Sequence, residues 1–74
     1  MKMYKNLGGN SSVRYYEDGD GFIRVLFSDG KTYVYTSQKA GAETIRMMKI
    51  LAEIGQGLNS YIMKNARTAY SAKY

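Results

Sequence analysis
The sequence predicts a small α+β domain: a three-stranded antiparallel meander, a central amphipathic helix, and a shorter helix at the carboxyl end. Three observations carry that prediction. Strand-like runs flank Asp29-Gly30 within the segment 22–36, and Asp-Gly between such runs is a strong short-range hairpin signal. The apolar period then changes from two to about 3.6 over Glu43–Ile54, the mark of a helix with one buried side. Finally, Gly55-Gln-Gly57 interrupts that pattern before it resumes at Leu58, as a glycine cap between two helices does.

Taken in chain order, residues 1–10 end in Gly8-Gly9-Asn10 and read as an amino-terminal arm that frays at Met1. Residues 11–74 form the domain. Ser12–Tyr16 is the first strand, and Glu17–Gly21 (Glu-Asp-Gly-Asp-Gly) is a loop rich in turn formers. The loop looks like a calcium-loop fragment, but the bidentate glutamate that such a loop needs downstream is missing, so no metal is expected.

A two-residue turn at Asp29-Gly30 sets Val25 opposite Val34, Leu26 opposite Tyr33, and Arg24 opposite Tyr35. Pairing Tyr16 with Phe22 across the acidic loop sets Tyr15 opposite Ile23 and Val13 opposite Val25. One face then holds Val13, Tyr15, Ile23, Val25, Phe27 and Val34 as core. The other holds Arg14, Tyr16, Phe22, Arg24, Leu26, Tyr33 and Tyr35, an aromatic and basic surface. Antiparallel meanders commonly leave one face wet.

Thr36 or Ser37 is the expected helix N-cap, with the helix settling in after Gly41. Its apolar positions, Ile45, Met47, Met48, Ile50, Leu51, Ala52 and Ile54, span an arc wider than one small sheet can cover. A second layer is therefore required. Leu58, Tyr61, Ile62, Ala66, Ala69 and Tyr70 recur at three- and four-residue spacing and supply it, with Lys64 and Arg67 on the outward side.

Seventy-four residues allow one domain, and a chain this short hides only about 60–65% of its unfolded surface. With no Cys and no His, disulfides, thiolate metal sites and the usual neutral-pH acid/base are excluded. Four of the six acids lie in turns, Glu43 suits a helix first turn, and Glu53 follows Lys49 by four residues. No phosphate-binding loop, dinucleotide fingerprint or nucleophile elbow is present, so a non-enzymatic protein without cofactor or metal is expected. No apolar run approaches the roughly 18 residues of a membrane span, and the amino terminus lacks a long apolar segment, so a cytoplasmic protein is the default.

The net charge is +5, unevenly spread. Residues 1–43 hold six Lys/Arg against five Asp/Glu, whereas residues 44–74 hold five against one. That gradient favours an anionic partner, nucleic acid first.

In order and spacing, several of these elements resemble the KTSC domain family, small modules found alone in bacteria and phages and at the carboxyl end of some lysyl-tRNA synthetases. The matching features are Ser12-Val-x-Tyr15, the strand Phe22–Phe27, Tyr33-Val-Tyr35, Gly57-Leu-Asn59, Ile62, and Arg67-x-x-Tyr70. They cover about residues 11–70. The resemblance implies the same β-β-β-α-α order and, through the synthetase context, RNA as a ligand.

The expected function is thus a binding module for RNA or single-stranded nucleic acid. Tyr16, Phe22, Tyr33 and Tyr35 would stack on bases, while Arg14, Arg24, Lys64 and Arg67 would contact phosphates. The competing expectation is a protein-interaction module, such as a phage-encoded inhibitor, or a weak homodimer using a sheet edge or the apolar helix face around Met47 and Met48.

Overall fold
The Asp29-Gly30 turn takes three residues rather than two, and the extra residue reverses one strand. In the computed structural model, which describes residues 1–74, the loop is Ser28-Asp29-Gly30. Gly30 N–H donates to Phe27 O at 3.0 Å and Phe27 N–H to Lys31 O at 2.9 Å. Gly30 sits in the left-handed region at φ +86°, and Asp29 Oδ1 accepts from Lys31 N–H at 3.0 Å. A turn closed by a left-handed glycine is the usual three-residue hairpin loop.

Strand β3 (Phe22–Phe27) therefore meets β4 (Thr32–Thr36) with Ile23 opposite Tyr35, Arg24 opposite Val34, and Val25 opposite Tyr33. A one-residue slip moves every side chain of a strand to the other face. Tyr33 and Tyr35 consequently join Ile23 and Val25 on the helix side, and Val34 turns outward. This corrects the expected faces of β4. Burying two aromatic rings removes more apolar surface from water than burying one valine, so packing favours this register.

The acidic loop is also shorter than expected. Strand β2 (Val13–Gly19) runs through Glu17 and Asp18 and turns on Asp20-Gly21 alone, pairing Gly19 with Phe22 and Tyr16 with Val25. The expected Tyr16–Phe22 and Tyr15–Ile23 pairs do not form. A bulge between Val13 and Tyr15 places the extra residue at Arg14, so Val13 and Tyr16 both point inward although they are three apart. Tyr15 faces out instead.

Two further strands complete the sheet. Lys2–Met3 (β1) pairs with β2, and Ala72–Lys73 (β5) pairs with β4, giving a five-stranded antiparallel sheet in sequence order. Residues 1–10 are thus not a loose arm. Tyr4 is buried, and its hydroxyl accepts from the Leu58 N–H at 3.2 Å.

Three helices cover one face. Thr36 is the N-cap of a single turn, α1 (Ser37–Ala40), which Gly41 (φ +96°) separates from α2 (Ala42–Ile54). Gly55 stops α2 in the left-handed conformation, its N–H bonded to Leu51 O. Helix α3 (Leu58–Asn65) is shorter than its apolar pattern, because residues after Ala66 turn back to feed β5, with Ser71 N–H on Val34 O at 2.7 Å. Ile45, Met48 and Ala52 of α2 pack with Leu58, Ile62 and Ala66 onto Ile23, Val25 and Tyr35. Ile50 and Ile54, at the edge of the wide apolar arc, remain exposed. No helix is long and apolar enough to cross a membrane.

Candidate functional site
The inward turn of β4 builds a site that the expected register would have destroyed. Tyr33 and Tyr35 come from β4, and Phe27 of the neighbouring β3 reaches Tyr33 diagonally, two residues along from the Val25 that faces it. Helix α3 contributes Asn59, Ile62 and Met63, residues at three- and four-residue spacing that share a helix face. The segment after α3 adds Arg67, Thr68 and Tyr70. Together with Ser12, Ser28 and Asp29 at the rim, these line a groove of about 560 Å³. Sites for small organic groups fall in this size range.

Its walls are aromatic. The Phe27 and Tyr33 rings meet edge to face at 5.3 Å, and Tyr33 meets Tyr70 the same way at 5.0 Å. Tyr33 and Tyr35 lie nearly parallel with centroids 6.4 Å apart. Lys73 Nζ stands 5.5 Å from the Tyr33 ring centre, a favourable placement for a cation on a π face. Burial, with smaller contributions from Tyr33 and Tyr70, pushes the Tyr35 hydroxyl from 10.0 up to about 12. Tyr35 therefore keeps its proton across the physiological range and is available as a donor.

The polar part of the groove is incompletely paired. Asn59 Oδ1 is buried and accepts no hydrogen bond within the chain. An orphaned buried acceptor costs about 1–3 kcal/mol, so turning the Asn59 amide to meet a ligand's donor in the groove would recover that cost. Arg67 adds a guanidinium that can hold an anion in two-pronged fashion. Flat walls, an unpaired acceptor and a cation suit a planar, hydrogen-bonding, negatively charged ligand.

The eight residues expected to form one nucleic-acid face are divided. Tyr33, Tyr35 and Arg67 meet at the groove. Tyr16 is on the same side of the sheet but is only 6% exposed, in the core. Phe22 and Arg24 are on the opposite face, where Arg24 Nη1 lies 3.2 Å from Glu17 Oε1 and its guanidinium sits 5.4 Å from the Phe22 ring, not beside Tyr35. Arg14 is exposed at the bulge and donates to Ser11 O at 3.0 Å. Lys64 is exposed in the last turn of α3. A single aromatic and basic sheet face therefore does not exist. Asn59, Phe27, Ile62 and Tyr70 belong to the site and were not assigned to it from sequence. The available signal was the α3 face that carries Asn59 and Ile62, which requires the β4 register before it points anywhere.

In comparison with known proteins, no family model, no curated protein and no solved structure matches the chain.

Proposed function
We propose that the protein is a non-catalytic, KTSC-like module that binds single-stranded RNA, with the groove between β4 and α3 as its recognition element. The observation that carries this reading is an aromatic groove lined by Arg67 and by Asn59, a residue whose buried Oδ1 has no partner within the chain. One base enters the groove and offers its N–H edge to Asn59, while the tyrosine hydroxyls meet its carbonyls. The neighbouring phosphates lie on Arg67, with Lys64 and Lys73 extending the track. The basic carboxyl-terminal half, five Lys/Arg against one Asp/Glu over residues 44–74, supplies the long-range attraction. The stretches on which the KTSC resemblance rests, distant in sequence, supply Tyr33, Tyr35, Asn59, Ile62, Arg67 and Tyr70 to this one groove, which supports treating them as one functional unit.

Fluorescence anisotropy of a labelled single-stranded RNA, titrated over a salt series, tests the proposal. The affinity is expected to fall steeply with salt, and Arg67→Ala is expected to lower the slope by about one. Arg14→Ala, outside the residues that line the groove, is expected to leave it nearly unchanged. Absence of RNA binding at low salt, or equal loss from both substitutions, refutes the assignment.

A further inference from the structure
The face of the sheet turned away from α2 and α3 is a second candidate surface. It presents Tyr15, 38% exposed, and Met3, 70% exposed, with Phe22, Leu26 and Val34 half-buried. Its only ion pair is Glu17 with Arg24, directly opposite each other on β2 and β3. A cation already paired with a carboxylate is a poor phosphate contact, so this face is unsuited to RNA.

Its charges are instead complementary to themselves, which is what an isologous interface requires. A two-fold axis running along the strands, midway between β2 and β3, exchanges those two strands between copies. It sets Glu17 of each copy over Arg24 of the other. By the same register, Tyr15 of each copy falls over Leu26 of the other, since these two are also cross-strand partners. We infer that the protein forms a homodimer by packing this outer sheet face against the same face of a second copy, sheet on sheet, with Glu17 and Arg24 cross-paired at the centre. Aligned packing of two twisted sheets about 10 Å apart is a standard arrangement.

The overlapping area sets the strength. Six residues each from β2 and β3, with the two of β1 and the five of β4 at the edges, at about 3.3 Å per residue and about 4.8 Å per strand, give roughly 300 Å² of sheet plane per copy. The two copies together bury roughly 600 Å², well below the size of tight, specific interfaces. The dimer is accordingly weak and concentration-dependent.

Sedimentation velocity from micromolar concentrations up to about 1 mM, a range that spans weak association, tests the inference on the full chain. The expected result is a monomer–dimer equilibrium that Leu26→Lys shifts at least about tenfold toward monomer, with circular dichroism unchanged. Glu17→Arg and Arg24→Glu each place like charges over one another across the axis and are expected to be monomeric alone. An equimolar mixture of the two is expected to dimerise again, because each now carries the charges the other lacks. A wild-type protein that stays monomeric throughout overturns the inference. So does a dimer that survives Leu26→Lys but is lost on Ile54→Lys, which places the seam on α2. Charge-reversed variants that fail to recover on mixing overturn it as well. If Arg24→Glu abolishes RNA binding while leaving the dimer intact, the face belongs to RNA and the inference fails.

Discussion

Replacing Tyr4 by alanine is expected to remove a large part of the stability of the domain, although Tyr4 lies in the short segment that carries the two-residue β1. The side chain is 3% exposed and packs in the core with Leu58 and Ile62. Truncating a buried aromatic ring costs about 3–5 kcal/mol. The Leu58 N–H, bonded to the Tyr4 hydroxyl in the first turn of α3, also loses its partner. A chain of this length has roughly 4–11 kcal/mol in all. Tyr4→Ala therefore takes from about a third of the total to nearly all of it.

Tyr4→Phe separates the two contributions. It keeps the ring and orphans only the Leu58 N–H, at about 1–2 kcal/mol. Equilibrium urea denaturation followed by far-ultraviolet circular dichroism reads both variants. With a slope near 1 kcal/mol per molar urea for a domain this small, Tyr4→Phe should lower the midpoint by about 1–2 M. In a thermal scan it should lower Tm by roughly 5–10 °C. If Tyr4→Ala stays within about 0.5 kcal/mol of wild type, the range of an inconsequential surface change, then β1 is frayed in solution and the docked amino terminus is refuted.

Other perturbations give sharp outcomes. The Tyr35 hydroxyl is raised from 10.0 to about 12 in the folded chain, so the unfolded chain loses this proton first as pH rises. The stabilisation is complete below pH 10 and is lost between pH 10 and 12, amounting to about 2–3 kcal/mol. Tyr35→Phe should abolish that part of the alkaline destabilisation, as measured by urea midpoints across that window. Gly55 ends α2 at φ +86°, and a Cβ there would collide with the Lys5 side chain. Gly55→Ala should cost at least about 1–2 kcal/mol from the left-handed backbone alone, read in the same denaturation assay.

The elements were legible from local pattern, whereas the faces were not. Glu43–Ile54 announces its helix through period, and Gly55 and Gly57 announce its end. Asp29-Gly30 announces a hairpin but fits two loops equally: a two-residue turn, or a three-residue turn in which glycine takes the left-handed position. One residue of loop length decides whether Tyr33 and Tyr35 or Val34 enters the core, and local sequence does not carry that choice. The bulge at Arg14 has the same effect on Tyr15 and Tyr16. Strands β1 and β5, of two residues each, are too short to show alternation and exist because their neighbours offer open edges. The groove was invisible for a related reason. It joins the inward side of β4 to α3 and to residues 67–70, and each piece acquires meaning only after the register is settled.

That same register separates the two proposed surfaces, with a consequence for how they work together. Because Tyr33 and Tyr35 point toward the helices, the groove opens on the side away from Glu17, Arg24 and Leu26. Sheet-to-sheet pairing of two copies therefore leaves both grooves free, one on each side of the dimer. Two linked sites gain effective concentration only on a strand long enough to reach both. Leu26→Lys, which leaves every groove residue in place, should thus weaken binding to a long single-stranded RNA by about tenfold or more at protein concentrations where the dimer forms. Its affinity for a short oligonucleotide that fills one groove should be unchanged. Equal effects of Leu26→Lys on long and short RNA would show that the outer face itself contacts the nucleic acid, and would refute the division of labour between the two sides of the sheet.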